Sequence, residues 1–280
     1  MPTTWAAKPG AGGTNIKGFE REGCHMLLDT FSLDGEVAII TGAGGGLGRE
    51  LSLALVEAGG KVAVVDVARV SGEETVQEIV EAGGEGIFIK ADLTKGHEVK
   101  KMVAETAKQF GKIDILINNA GTVLGKPIIE VEEDEWHSVM DINLTSTFLC
   151  SKFAGKYMIE REKGKIVNIS SNAGIAAATN QSAYCASKAG IISLTKCLAL
   201  EWAKYHINVN AIAPGYIRTA LSASALDNDK IASVLLKKIP LRRFAEPKDI
   251  APLVIYLASK ASEYMTGETI LIDGGHLSHL

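Results

Sequence analysis

Tyr184 and Lys188 are the two side chains of this 280-residue chain whose types and spacing most directly suggest proton chemistry. Four positions apart on a helix, they share one face. A tyrosine phenol near pKa 10 is a poor base at neutral pH, and an ammonium beside it favours the phenolate. Such a pair could exchange a proton with a substrate hydroxyl. By spacing alone, however, a Tyr and a Lys one helical turn apart are usually an ordinary surface pair. A second group follows the apolar run 37–40 as Thr41-Gly42-Ala43-Gly44-Gly45-Gly46-Leu47-Gly48-Arg49. A strand entering a glycine-rich turn and then a helix lets the backbone approach a diphosphate, while the helix start offers free N–H groups and positive dipole charge. Asp66 ends the next apolar run, 24 residues after Gly42. That is near the roughly 20 residues expected for the acid that hydrogen-bonds a dinucleotide's ribose. A carboxylate there suits the ribose hydroxyls of NAD and repels the 2′-phosphate of NADP. No basic residue lies between Gly42 and Gly48, while Arg69 lies three positions beyond Asp66 and softens the discrimination. NAD is expected over NADP.

These groups need a scaffold, and the hydrophobic pattern describes one. Short apolar runs at 37–40, 62–65, 86–90, 113–117, 165–169, 208–212 and 269–272 read as seven strands. Amphipathic stretches at 49–58, 71–82, 98–110, 133–161, 182–205, 230–238 and 248–258 read as helices, the fourth long enough to be broken. Near-continuous apolar strands alternating with helices predict an α/β fold with a parallel sheet. The expectation is a single doubly wound Rossmann-type domain, its seven-stranded parallel sheet flanked by helices on both faces, over residues 33–280. Residues 1–32 carry Gly10, Gly12, Gly13, Gly18 and Gly23 without hydrophobic period and are expected to be a flexible arm, with Met26 an alternative start. Asn143 falls inside the long fourth helix, where a middling helix former invites a reason.

Composition narrows the function classes. The net charge of −4, with acids and bases interspersed, presents no basic face for nucleic acid. No apolar run approaches the ~18 residues of a membrane span, and residues 1–23 lack the apolar centre of a secretory signal. The four cysteines, Cys24, Cys150, Cys185 and Cys197, have no CxxC spacing and read as reduced thiols of a cytoplasmic protein. His97, His137, His206, His276 and His279 share no ligand spacing with Cys or acids, so solvated histidines and no metal are expected.

With these residues in view, the chain resembles the short-chain dehydrogenase/reductase family over roughly residues 33–275. Thr41, Gly42, Gly46 and Gly48 occupy the places of its TGxxxGxG pattern. Tyr184 and Lys188 form its YxxxK signature, thirteen positions after Ser171. Ala91-Asp92-Leu93 looks like its adenine contact, Asn118-Asn119-Ala120-Gly121 like its NNAG segment, and Pro214-Gly215-Tyr216-Ile217-Arg218-Thr219 like the PG motif near the nicotinamide amide. The resemblance implies catalytic residues Asn143, Ser171, Tyr184 and Lys188. In that scheme Ser171 steadies the substrate oxygen and Asn143 holds a water that links lysine to solvent. Ser170 reads as a strand-end cap. The implied cofactor contacts are Gly42, Gly46, Leu47, Gly48, Asp66, Asp92, Leu93, Asn119, Gly121, Tyr184, Lys188, Pro214, Gly215, Ile217 and Thr219.

Finer kinship is suggested by residues 31–35 and 243–247, which resemble a bacterial branch that includes gluconate 5-dehydrogenase, glucose 1-dehydrogenase and 3-oxoacyl-carrier-protein reductases. The implied activity is hydride transfer between a nicotinamide dinucleotide and a secondary alcohol or ketone. Polar residues in the segments 172–181 and 220–244, where the family shapes its substrate pocket, hint at a small sugar, sugar acid or polyol. The alternatives are an NADPH-linked 3-oxoacyl reductase and a nucleotide-sensing regulator without activity; the latter would be expected to lack Tyr184 or Lys188. Family members pair through helices equivalent to the two long ones here, so a homotetramer, or a homodimer, is expected.

Overall fold

A computed structural model describes residues 27–278. From the amino end, β1 (Val37–Thr41) leads into α1 (Gly46–Glu57), then β2 (Lys61–Asp66), α2 (Arg69–Glu81), β3 (Glu85–Lys90), α3 (Gly96–Phe110) and β4 (Ile115–Asn118). The chain continues through α4 (Glu133–Met140), a π-helical turn at Asp141–Thr145, α5 (Ser146–Glu160), β5 (Gly164–Ile169) and α6 (Ser182–Trp202). It closes with β6 (Ile207–Pro214), α7 (Ala223–Leu226), α8 (Asp229–Lys238), α9 (Pro247–Ala258) and β7 (Thr269–Ile272).

All seven strands pair in parallel in the order β3-β2-β1-β4-β5-β6-β7. The direction of winding reverses between β1 and β4, and ligands of open α/β sheets bind outside the strands' carboxyl ends at such a point. Successive residues explain the near-continuous apolar runs. Ala38 and Ile40 of β1 join one core with α1 and α9, whereas Ile39 between them joins a second core with α3, α5 and α6. Val62 and Val64 of β2 face the first core, and Ala63 and Val65 the second. Side chains alternate across a strand, so a sheet covered on both faces needs apolar residues at every position.

Several boundaries differ from the sequence expectation. The fourth strand starts at Ile115 rather than 113 because Asp114 turns toward β1, its amide donating to the Val37 carbonyl and its carboxylate accepting from the Val37 amide. The stretch 133–161 is not one helix: the π-helical turn separates α4 from α5. The expected arm lies outside the described residues up to residue 26, along with Cys24. Its last part, Leu27–Phe31, forms a 3-10 turn whose Phe31 ring sits 6.0 Å from that of Tyr256.

Candidate active site

Thr41 anchors the glycine turn at the carboxyl end of β1. Its hydroxyl accepts from the amides of Asn119 and Ala120 at 3.0 and 3.1 Å. The Asn119 side chain donates back to the Thr41 and Gly42 carbonyls at 3.0 and 3.1 Å. The segment after β4 therefore braces the turn, and the Asn119 amide group is engaged with backbone. Gly42 has φ +63°, and a Cβ there would meet the Ala120 Cα at 2.9 Å. A Cβ on Gly48 would collide with the Gly42 carbonyl oxygen. Only glycine permits this close approach of turn and helix. Leu47 is buried beneath the turn.

Helix α1 begins with no side-chain cap and no acidic residue in its first turn. Its N–H groups and positive dipole end are thus left for an anion, and Thr219 lies about 3.4 Å from where a Gly46 side chain would begin. These residues fit the diphosphate of a dinucleotide. Asp66 stands at the adjoining end of β2, accepting from the amides of Gly44 and Ala68, both at 2.9 Å. Asp92 accepts from the amide and hydroxyl of Thr94 and pairs with Lys95. The Thr94 hydroxyl and Lys95 hold its carboxyl below the usual range against the effect of burial. Leu93 is buried beside it. Pro214 ends β6; Gly215 packs on Asp273 and donates to Ile272, and Ile217 bridges to Ala245.

The catalytic candidates converge on the same edge. Ser171 follows β5 and starts a short 3-10 turn, its hydroxyl accepting from the Ala173 amide at 3.1 Å. Tyr184 and Lys188 lie in the first part of α6, with the Lys188 Nζ 5.7 Å from the centre of the Tyr184 ring. Lys188 is enclosed; its Nζ donates to the Ile169 carbonyl at 2.8 Å, and burial pushes the amine down to about 8. Burial also pushes the Tyr184 phenol up, opposed by a hydrogen bond with Ser171. In the folded chain burial disfavours the charged form of each group, raising the phenol and lowering the amine. Ser170 donates to the Lys188 carbonyl at 2.8 Å, tying the end of β5 to α6.

Asn143 sits in the π-helical turn with no exposed surface. Its side-chain oxygen accepts from the Thr122 amide at 2.7 Å, and its nitrogen donates to the Thr122 carbonyl at 3.0 Å and the Ser187 hydroxyl at 2.9 Å. It therefore clamps the segment after β4 onto α6. Gly121 lies beside it, where a Cβ would stand 3.3 Å from both the Asn143 oxygen and the Lys188 Nζ.

Two groups escaped the sequence reading. Arg49 joins the Gly44 and Ser71 carbonyls, the Thr75 hydroxyl and the carboxylates of Glu74 and Glu78. Its partners are scattered along the chain, so no spacing announces them. His276, expected to be solvated, is half-buried, 3.0 Å from the Asn172 nitrogen and 5.5 Å from the Tyr216 ring. Its place just after an apolar run was the available signal, since a strand's carboxyl end is where parallel sheets build sites.

Residues 42–276 match the family described as enoyl-(acyl carrier protein) reductase. The 2-dehydro-3-deoxy-D-gluconate 5-dehydrogenase of Escherichia coli (strain K12) is 37% identical over 254 residues, covering 90% of this chain and 100% of that protein. The 3-oxoacyl-[acyl-carrier-protein] reductase FabG of Staphylococcus epidermidis is 41% identical over 239 residues, covering 85% and 97%. The crystal structure of a gluconate 5-dehydrogenase from Burkholderia cenocepacia J2315, in complex with NADP and tartrate, superposes with TM-score 0.88 at 33% identity, covering 91% of this chain and all of that one.

Proposed function

The chain belongs to the short-chain dehydrogenase/reductase family, and from that premise we propose an NAD(H)-dependent enzyme interconverting a secondary alcohol and a ketone on a small polyhydroxylated compound. This is an oxidoreductase that acts on alcohol or ketone groups of small molecules with a nicotinamide cofactor. The bound dinucleotide supplies the hydride acceptor or donor. The residues of the chain manage the proton. Tyr184 takes the substrate hydroxyl proton in oxidation and returns it in reduction. Ser171 hydrogen-bonds the same oxygen and steadies its developing charge. Lys188, held by the Ile169 carbonyl, offers the positive charge that favours the phenolate. Asn143 keeps Gly121 and α6 in register around them.

The single observation carrying the cofactor reading is Asp66, whose carboxylate stands 2.9 Å from the Gly44 amide at the carboxyl end of β2, where a 2′-phosphate would meet its negative charge. A sugar acid, sugar or polyol is the favoured substrate class on the likeness to the E. coli dehydrogenase and to the tartrate-bound gluconate 5-dehydrogenase. The identity to the Staphylococcus epidermidis reductase favours a second reading, NADPH-linked reduction of a 3-oxoacyl thioester. Absorbance at 340 nm, with NAD and NADP each tested against sugar acids, sugars, polyols, secondary alcohols and acetoacetyl thioester, separates the two. NAD-linked turnover of a polyhydroxylated compound is the expected result. NADPH-linked activity on the thioester alone replaces it with the second reading. We also propose a homotetramer, and a cytoplasmic setting in which the free thiols of Cys150, Cys185 and Cys197 suit a reducing compartment.

A further inference from the structure

The backbone of Gly44 is gripped on both sides. Its amide donates to Asp66 Oδ2 at 2.9 Å, and its carbonyl accepts from Arg49 Nη2 at 3.0 Å. The same nitrogen donates to the Ser71 carbonyl in the first turn of α2, at 3.2 Å. Asp66 Oδ1 accepts from the amide of Ala68, the residue that starts that helix, at 2.9 Å. A closed ring of contacts therefore runs through Gly44, Asp66, Ala68, Ser71 and Arg49. Thr75, which has no exposed surface, braces it: its hydroxyl accepts from Arg49 Nε at 3.1 Å and lies 3.0 Å from the Ala43 carbonyl.

The ring decides which way the Asp66 carboxylate points. A carboxylate offers about four lone-pair sites. The Gly44 and Ala68 amides take one on each oxygen, and the sites left over, one per oxygen, suit two adjacent hydroxyls of a ribose. Their direction is set by the Gly44 and Ala68 amides, and Arg49 holds the Gly44 peptide and the first turn of α2 in place. The space between turn and acid is tight, since a Cβ on Gly44 would stand 3.0 Å from the Asp66 carboxylate and 2.9 Å from the Ser71 Oγ. Charge points the same way. A free guanidinium beside this turn would attract a 2′-phosphate, but Arg49 is paired with Glu74 and Glu78 at 3.0 and 2.8 Å and spends its other donors on the ring. Such partly exposed pairs add little stability; their effect is to aim and neutralise the guanidinium.

We propose that Arg49 is a positioning residue that sets the cofactor preference. By fixing the Gly44 peptide and the start of α2, it keeps Asp66 aimed at the ribose hydroxyls of NAD. The inference rests on the role of Asp66 given under Proposed function.

Steady-state kinetics with NAD and NADP, on the fastest alcohol of the panel, test it. Arg49→Met keeps the aliphatic stem and removes every donor. The KM for NAD is expected to rise roughly five- to twentyfold, while kcat at saturating NAD stays within about twofold of the wild type. The KM for NADP should not rise, so the NAD-to-NADP ratio of kcat/KM falls at least about fivefold. Thr75→Val, nearly the same shape, removes only the brace and should move the KM for NAD the same way, by roughly two- to fivefold. It carries the test if Arg49→Met fails to fold. In an Asp66→Ala background, Arg49→Met should change the KM for NAD by less than about twofold, since the group it aims is gone.

An equal rise in KM for both dinucleotides, a loss of kcat without a change in KM, or the same rise in the Asp66→Ala background would each overturn the proposal. Should Asp66→Ala itself keep wild-type cofactor kinetics, the role given to Asp66 fails and the Arg49 proposal falls with it. A damaged Asp66→Ala beside undamaged Arg49→Met and Thr75→Val removes Arg49 alone.

Discussion

Lys188 places a cationic side chain in the interior, 3% exposed, and burial pushes its amine from the ordinary 10.5 down to about 8. Between those values the unfolded chain binds more protons than the folded one, so stability rises with pH. Enclosing the ammonium therefore costs stability in full below about pH 8, and the cost fades toward pH 10.5. Lys188→Met is expected to abolish turnover yet raise stability at pH 7, by at most about 3 kcal/mol before loss of the Ile169 hydrogen bond, and with it Tm. The gap to the wild type should close as pH rises, and thermal melts across that range check it. Tyr184→Phe should leave dinucleotide binding, followed by fluorescence titration, nearly intact while abolishing kcat; a variant keeping most of its turnover removes Tyr184 from the chemistry. Asp66→Ala should weaken NAD use and narrow its advantage over NADP, which the ratio of kcat/KM for the two cofactors reports. Unchanged ratios would show that another group reads the ribose.

At the scale of elements, the π-helical turn Asp141–Thr145 is what places Asn143. Such single-turn bulges recur at functional sites because one extra residue re-aims the side chains that follow. Here the turn separates α4 from α5 and directs the Asn143 amide group onto Thr122 and Ser187. Asn143→Ala would remove the side-chain partners of the part-buried Thr122 amide and carbonyl. A loss of about 1–3 kcal/mol is expected, together with reduced kcat. Denaturant melts and steady-state rates measure both, and unchanged stability would mean that the clamp is dispensable. The apolar pattern at 133–161 announced a long helical stretch and its possible break. It held no sign of a π-turn, because one added residue alters hydrogen-bond partners without changing which residue types appear.

For the whole molecule, the sheet alone covers part of what the sequence assigned to oligomer contacts. Ile191 and Leu198 of α6 are buried against their own subunit. Phe148 of α5 and Leu200 of α6 remain 44% and 84% exposed, an apolar surface on the two helices expected to pair. Among the described residues, no helix is long and apolar enough to cross a membrane. Light scattering is expected to return four times the subunit mass; a mass of one subunit would refute assembly through these helices.

The sequence by itself determined the alternation of strand and helix, the burial of the sheet on both faces and the glycine turn. Each is a matter of local period or local sterics, and both are written in residue order. With the family motifs it also marked Ser171, Tyr184 and Lys188. Only the tertiary structure decided that Asn119 is spent bracing the turn, that Arg49 ties the turn to α2, and that His276 meets Asn172. Those partners lie up to 104 positions apart in the chain, and only the parallel sheet, by aligning the ends of β5, β6 and β7, brings them within hydrogen-bond reach. The balance at Tyr184 and Lys188 was likewise decided there, because desolvation depends on what the fold packs around a group and not on its neighbours in sequence.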